Sequence, residues 1–79
     1  MSTQPLRPLK TVIWRVPTMS NQQDVGAVQR ILDGLHGVAL IAVDLPAHLI
    51  TVEYDSDSAS PAEISAFLTT AGYPVEQPS

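Results

Sequence analysis

The sequence predicts an α+β fold with the element order βαββαβ, and three observations lead to this prediction. Three stretches have the two-residue period or apolar character of strands, and two stretches have apolar residues spaced by three and four, as amphipathic helices do. Short glycine- or proline-containing segments separate them. A chain of 79 residues has room for one domain with one modest core.

The first half of the chain predicts one strand and one helix. Alternation predicts a strand over Lys10–Val16 that ends at Pro17, and its buried face carries Val12, Trp14 and Val16. A helix is predicted between Gln22 and Leu35, and Gly34 and Gly37 suit its end. Its apolar stripe consists of Val25, Val28, Ile31, Leu32 and Leu35.

The second half predicts a hairpin, a helix and a short last strand. Val38–Asp44 is β-prone, the connection Leu45–His48 contains a proline, and alternation resumes from Leu49 to Tyr54. After a polar loop, Ser60–Glu63 has the pattern of a capping box with proline at the first helical position. The stripe of this second helix is Ile64, Phe67, Leu68 and Ala71. Tyr73–Val75 can add only a short edge strand because of its proline.

Short connections favour a four-stranded antiparallel sheet with both helices on one face, the ferredoxin-like βαββαβ sandwich. The predicted domain spans residues 10–76, with tails over residues 1–9 and 77–79. This architecture carries many unrelated functions, so the fold alone assigns none.

Composition excludes several classes of function. The net charge of -4 without a basic cluster argues against nucleic acid, and the absence of cysteine excludes disulfides and thiolate metal sites. No signal peptide or membrane-spanning run is present, so we expect a cytoplasmic protein without membrane insertion. No nucleophile motif or phosphate-binding glycine loop occurs, so the sequence predicts no enzyme.

Three segments resemble the heavy-metal-associated family, and they lie in order around the two predicted helices. They are Gly37–Val38 followed by Val43–Leu45, then Ile50–Asp55, and last Ala71–Tyr73. The resemblance implies the ferredoxin-like fold and a relation to metallochaperones and to the terminal domains of metal-pumping ATPases. Family members usually bind soft metal ions through a Met-x-Cys-x-x-Cys loop at the start of the first helix. This chain has Met19, but Asn21 and Asp24 stand at the two cysteine positions.

The altered loop allows a structural and a functional interpretation. In the first, Asn21 is the N-cap of the helix and Asp24 meets the positive end of the helix dipole. In the second, Asn21 and Asp24 join His48 in a site for zinc, nickel or copper(II). The resemblance places Met19 beneath the loop as a core residue. His36 is expected at the opposite end of the domain.

Three functions remain open at this stage. The favoured one is a metal-independent interaction module that needs no cofactor, with a protein partner such as a metal transporter or a related domain. Its predicted surface comprises Thr18, Met19, Ser20, Asn21, Gln22, Gln23, Asp24 and Tyr73. The first alternative is a binder of a divalent metal ion through the same loop. The second is an amino-acid-binding regulatory domain, which shares the topology.

Overall fold

The computed structural model describes residues 9–77 as three strands and two helices. In chain order these are β1 (Leu9–Arg15), α1 (Gln22–Asp33), β2 (Val38–Asp44), β3 (Leu49–Asp55) and α2 (Pro61–Thr70). Most of both predicted tails, residues 1–8 and 78–79, lies outside the described range. Leu9, which was expected in the first tail, is the first residue of β1 and pairs with Asp55.

The strands form an antiparallel sheet in the order β1-β3-β2, so β3 is central. Val52 in the middle of β3 lies opposite Val12 on one side and Ile41 on the other. The register of β2 against β3 shifts between Val38 and Leu40, which leaves Ala39 as the extra residue of a β-bulge. The strands β2 and β3 form the predicted hairpin.

One face of the sheet carries both helices. The buried residues of β1 and β3 follow the predicted two-residue period, and they join the buried stripe of each helix in one cluster. Side chains with zero exposure include Val16, Met19, Val28, Leu32, Ile50, Val52 and Leu68. The other face of the sheet is open, and there Ile13 and Leu40 are 46% and 53% exposed.

The predicted fourth strand is reduced to a single bridge within residues 9–77. Arg15 and Glu76 exchange both backbone hydrogen bonds, with N···O distances of 2.9 and 2.8 Å. Pro74 has no backbone N–H, so this segment cannot supply a continuous ladder of donors. The bridge still ties the end of the chain to β1.

The predicted core positions of α2 are partly wrong. Ile64 and Leu68, one turn apart, are buried, whereas Phe67 is 55% exposed and Ala71 is also exposed. The helix therefore turns a narrow face towards the sheet, and its aromatic residue lies beside that face. In the described part of the chain, neither helix has the length and apolar character needed to cross a membrane.

The polar loop that the sequence predicts after β3 begins at a buried residue. Asp55 is only 8% exposed, and its carboxylate accepts hydrogen bonds from the Asp57 N–H at 3.0 Å and the Ser58 hydroxyl at 3.5 Å. Gly37 packs against this loop with φ of 92°. A Cβ atom at Gly37 would lie 2.9 Å from the Ser58 Cβ, so both its backbone conformation and its surroundings require glycine.

Candidate functional site

The segment over residues 17–24 leads into α1 and includes its first turn, and two other segments at the same end of the domain hold it in place. We call residues 17–24 the α1 loop. The Thr18 hydroxyl donates to the Gly72 carbonyl at 3.2 Å, and the Tyr73 hydroxyl donates to Asp24 Oδ1 at 3.0 Å. From the β2–β3 hairpin, His48 Nδ1 lies 2.7 Å from the Met19 carbonyl oxygen. The structure thus brings to the α1 loop both His48, from the predicted metal site, and Tyr73, from the predicted interaction surface.

Asn21 is the N-cap of α1, as the structural interpretation predicts. Its backbone is extended, with φ of −149° and ψ of 177°, and its Oδ1 accepts a hydrogen bond from the Asp24 N–H at 2.9 Å. This contact satisfies one of the N–H groups that the first turn of a helix leaves without a partner. The position that the resemblance aligns with the first cysteine therefore holds a helix cap.

The Asp24 carboxylate accepts hydrogen bonds through both of its oxygens. Oδ2 accepts from the Ser20 N–H at 2.9 Å and from the Ser20 hydroxyl at 3.2 Å, while Oδ1 accepts from Tyr73. The Ser20 backbone N–H, followed by the Tyr73 hydroxyl, lowers the pKa of Asp24 below its ordinary value because these bonds favour the ionised form. The same Asp24 bond raises the pKa of Tyr73, whose hydroxyl must keep its hydrogen to donate.

His48 contacts the α1 loop from the β2–β3 hairpin, and its own backbone conformation is unusual. Its φ of 58° makes it the one non-glycine residue with positive φ among residues 9–77. Its carbonyl accepts from the Val16 N–H at 2.7 Å, and its own N–H donates to the Leu45 carbonyl. Because a carbonyl can only accept, the contact with Met19 assigns the ring hydrogen to Nδ1. In the neutral ring, Nε2 then keeps its lone pair.

The predicted interaction surface divides into an exposed and a covered set. Five residues of this predicted surface are exposed and uncharged: Thr18, Ser20, Asn21, Gln22 and Gln23. Asp24 and Tyr73 are half-buried. Met19 has zero exposure, so it shapes the loop from beneath and offers no contact surface itself, as expected for its core position. Whether the exposed set binds a partner stays a prediction.

The side chains at the α1-loop end of the domain could serve as ligands for some metal ions better than for others. The whole sequence has no cysteine, so the thiolates that select soft ions are missing. Asp24 uses three of the about four acceptor positions of a carboxylate on protein donors. Within residues 9–77, no group of three or more His, Cys, Asp and Glu side chains is placed to hold a metal ion. A site built from Asn21, Asp24 and His48 would therefore have to displace existing hydrogen bonds.

Two contacts of the site carry no clear signal in the sequence. The Thr18–Gly72 hydrogen bond joins residues 54 positions apart in sequence. A threonine just before a helix does not indicate this partner, because threonine there can also cap the helix. The hairpin residue with left-handed backbone conformation is a histidine. Glycine or asparagine at that position would have indicated this conformation from the sequence. The predicted interaction surface did include Tyr73 beside the altered loop.

Solved structures share this fold over most of their length. The ZiaAN sub mutant is 31% identical, covers 90% of this chain and is itself covered completely, with a TM-score of 0.76. The CopZ metallochaperone is 25% identical, with coverages of 85% and 100% and a TM-score of 0.80. The Cu(I)-loaded N-terminal domain of a potential copper-translocating P-type ATPase from Bacillus subtilis is 20% identical, with coverages of 89% and 88% and a TM-score of 0.83. No family model matches the sequence, and no curated protein matches it significantly.

Proposed function

We propose, from the heavy-metal-associated fold that the chain shares with these metal-trafficking proteins, that it is a member of that family without the soft-metal site. In this proposal the chain is a non-catalytic protein-interaction module whose binding does not require metal. The exposed residues of the α1 loop form its contact surface. A metal transporter or a related domain is the expected class of partner.

The state of the Asp24 carboxylate is the observation that carries this proposal. In a metal carrier the residues at this position must be free to exchange a ligand. Here Asp24 is held by Ser20 within the loop and by Tyr73 from the segment after α2. Hydrogen bonds to a charged group are among the stronger ones in proteins, so the loop is ordered without metal. An ordered loop loses little conformational entropy when a partner docks on it.

Charge indicates the chemistry of the partner. The chain carries a net charge of -4, and Asp24, Asp44 and Glu76 all belong to segments at the α1-loop end. Arg15, which forms the bridge with Glu76, is the cation among these segments. A partner with a basic docking surface would be steered towards this end, and its association would weaken as salt is raised.

A matched pair of charge substitutions tests the surface. Gln23→Lys places a cation on the exposed α1 loop, and Ser56→Lys places the same charge on an exposed residue of the β3–α2 loop. We expect a basic protein captured by the native domain to be captured by Ser56→Lys but lost with Gln23→Lys. Its binding, measured with purified proteins by calorimetry, should be unchanged by a metal chelator. Equal capture by both variants, or loss of binding with the chelator, would contradict the proposal.

One observation favours binding of a harder metal ion as a second candidate function. His48 donates through Nδ1 to a backbone carbonyl and keeps Nε2 available, which is the arrangement that orients histidine ligands in metal sites. A divalent ion at Nε2 would recruit oxygen donors from Asn21 and Asp24 only if the Tyr73 or Ser20 bonds open.

Titration with zinc, nickel and copper(II), followed by amide resonances, separates the two candidates. Metal binding predicts shifts or broadening at the α1 loop and His48 at micromolar metal, lost in His48→Ala and kept in His36→Ala. If the loop resonances do not change, the metal candidate is rejected and the interaction module stands.

Two other predictions from the sequence remain open. No contact within residues 9–77 favours the amino-acid-binding alternative. The cytoplasmic location stays a prediction.

A further inference from the structure

The two edges of the sheet are protected to different degrees. The edge strand β1 carries two cations, Lys10 and Arg15, and the bridge to Glu76 occupies the backbone of Arg15. Charged side chains and added segments are the usual means by which proteins prevent an edge strand from pairing with another chain. This edge of the sheet is therefore protected.

The opposite edge, β2, lacks those protections. Its sequence Val-Ala-Leu-Ile-Ala-Val-Asp contains no cation and no proline, and its one charge lies at the last residue, Asp44. No strand within residues 9–77 pairs with its outer side, so part of its backbone N–H and C=O groups face away from the sheet. The bulge at Ala39 disturbs only the start, and the regular ladder continues from Leu40 to Asp44. An extended strand is the kind of partner that can form hydrogen bonds with these exposed backbone groups.

From this asymmetry we propose that β2 pairs with β2 of a second copy, antiparallel about a two-fold axis at Ile41. The proposal does not depend on the proposed function, because β2 contributes no residue to the α1 loop. Pairing at this register keeps equivalent faces together and joins the two three-stranded sheets into one continuous six-stranded sheet.

The strand is self-complementary at this register. On the open face, Leu40 of one copy lies opposite the small Ala42 of the second copy, which covers a side chain that is 53% exposed in the single chain. On the helix side, the two Ile41 side chains meet. They close a groove of about 350 Å³ that runs along this edge and is lined by Gln29, Asp33 and the first part of β2.

Charges do not oppose this pairing. The regular register about Ile41 covers Leu40–Ala42 of both copies, and Asp44 lies beyond it near the bulged start of the other strand, so no carboxylate faces its equivalent. The two Asp33 side chains, each beside the start of its own β2, lie at opposite ends of the paired strands, about 20 Å apart by the rise of a strand. At this separation, salt at physiological strength screens their repulsion.

Three matched lysine substitutions on exposed apolar residues test the proposal by sedimentation equilibrium. Leu40→Lys changes β2, Ile13→Lys changes the same open face away from this edge, and Phe67→Lys changes the exposed aromatic residue of α2. We expect the native chain to dimerise at concentrations up to about 1 mM, with Leu40→Lys raising the dimer Kd about tenfold or more. The other two variants should dimerise as the native chain does.

The outcomes are distinct. A native chain that stays monomeric over that range overturns the proposal, as does a dimer weakened equally by Ile13→Lys or by Phe67→Lys. Hydrogen exchange of the native chain at low and high concentration gives an independent readout that needs no variant. Amides of Leu40–Val43 should become protected as concentration rises, whereas protection that appears only in β1 or α2 would assign the dimer to another surface and reject this one.

Discussion

The two helices begin with the same local contacts, but the contacts at the start of α1 also extend to a segment far away in the sequence. The side-chain oxygen of Asn21 in α1 and of Ser60 in α2 each accepts the backbone N–H three residues on, at 2.9 and 3.2 Å. Each first turn also contains an acid. Among residues 9–77, the Glu63 carboxylate of α2 accepts a hydrogen bond only from the Ser60 hydroxyl, at 3.2 Å. The Asp24 carboxylate of α1 accepts from both the residue before the cap and Tyr73, 49 positions away.

This difference shows how a helix start can acquire a second role. At α2, the cap and the acid only determine where the helix begins, and every contact lies within four residues. At α1, the same arrangement also fastens the segment after α2 to the start of the helix. By the family resemblance this position is one of the two metal ligands. In this chain a hydrogen-bonded tie between distant segments stands there instead.

The largest effect should come from restoring thiols at α1. Asn21→Cys together with Asp24→Cys should increase the affinity for a soft ion such as Cu(I) by orders of magnitude, because two thiolates replace an amide and a carboxylate. Competition with a Cu(I) chelator measures this affinity. The matched pair, Ser60→Cys with Glu63→Cys, has the same spacing, but Pro61 fixes the backbone between the thiols, and we expect weaker binding there. Equal affinity at both helices would mean that the α1 loop contributes nothing beyond a helix start.

The next largest effect concerns the two acids. Asp24→Ala removes an acceptor of three hydrogen bonds and leaves the half-buried Tyr73 hydroxyl without this partner, whereas Glu63→Ala removes one exposed contact. We therefore expect the fall in Tm for Asp24→Ala to be about twice that for Glu63→Ala, or more. Thermal unfolding followed by circular dichroism measures both. Similar falls would show that the tie to Tyr73 adds no stability.

The two caps should be equivalent, which tests the shared part of the comparison. Asn21→Ala and Ser60→Ala should each lower the free energy of unfolding by about 1 kcal/mol, because each leaves an N–H of the first turn without its partner. For a domain of this size that corresponds to a fall in Tm of roughly 4–8 °C. Glycine at either position should cost only a few tenths of that energy. A clearly larger loss at Asn21 would mean that the cap, and not only Asp24, takes part in the tie.

The smallest effect is a pH dependence that only the α1 start should show. The pKa of Asp24 lies below its ordinary value of 3.8, so the stability from its bonds is complete above pH 3.8 and disappears as pH falls through the lowered value. The pKa of Tyr73 lies above 10.0, so its contribution is complete below pH 10.0 and disappears as pH rises through the raised value.

Comparison of the native chain with Tyr73→Phe isolates this dependence. The difference in free energy of unfolding, obtained from denaturant titrations, should be constant from about pH 5 to about pH 9 and shrink on both sides. A difference that stays constant into strong acid would exclude the Asp24 carboxylate as the acceptor. The corresponding α2 variant, Glu63→Gln, should show no change on the alkaline side.

Local signals in the sequence were sufficient wherever the structure uses local contacts. The caps Asn21 and Ser60 were predictable because a cap depends on residues three positions away. The two-residue period correctly placed Trp14 in the core, where it is 6% exposed. The resemblance correctly placed Met19 beneath the loop.

The remaining features depend on how elements meet, which no local pattern encodes. Phe67 belongs to the apolar stripe of α2 by its spacing. However, a rotation of the helix about its axis by less than the angle between successive residues decides whether Phe67 or its neighbours face the sheet. Asp55 is buried because Gly37 allows the β3–α2 loop to pack closely, and that contact joins residues far apart in sequence. The last strand was predicted over Tyr73–Val75, but Pro74 lacks a backbone donor, and within residues 9–77 this segment forms a single bridge, at Glu76.

The bond between Tyr73 and Asp24 also has a consequence for the rate at which the domain unfolds. It closes a loop of 49 residues, and contacts with such a large sequence separation tend to form late, after the hairpin and the helices have docked. An interaction absent from the transition state leaves the folding rate unchanged and slows unfolding. The Tyr73–Asp24 bond would thus lengthen the lifetime of the folded domain. In stopped-flow experiments, Tyr73→Phe should raise the unfolding limb of the chevron and leave the slopes of both limbs unchanged.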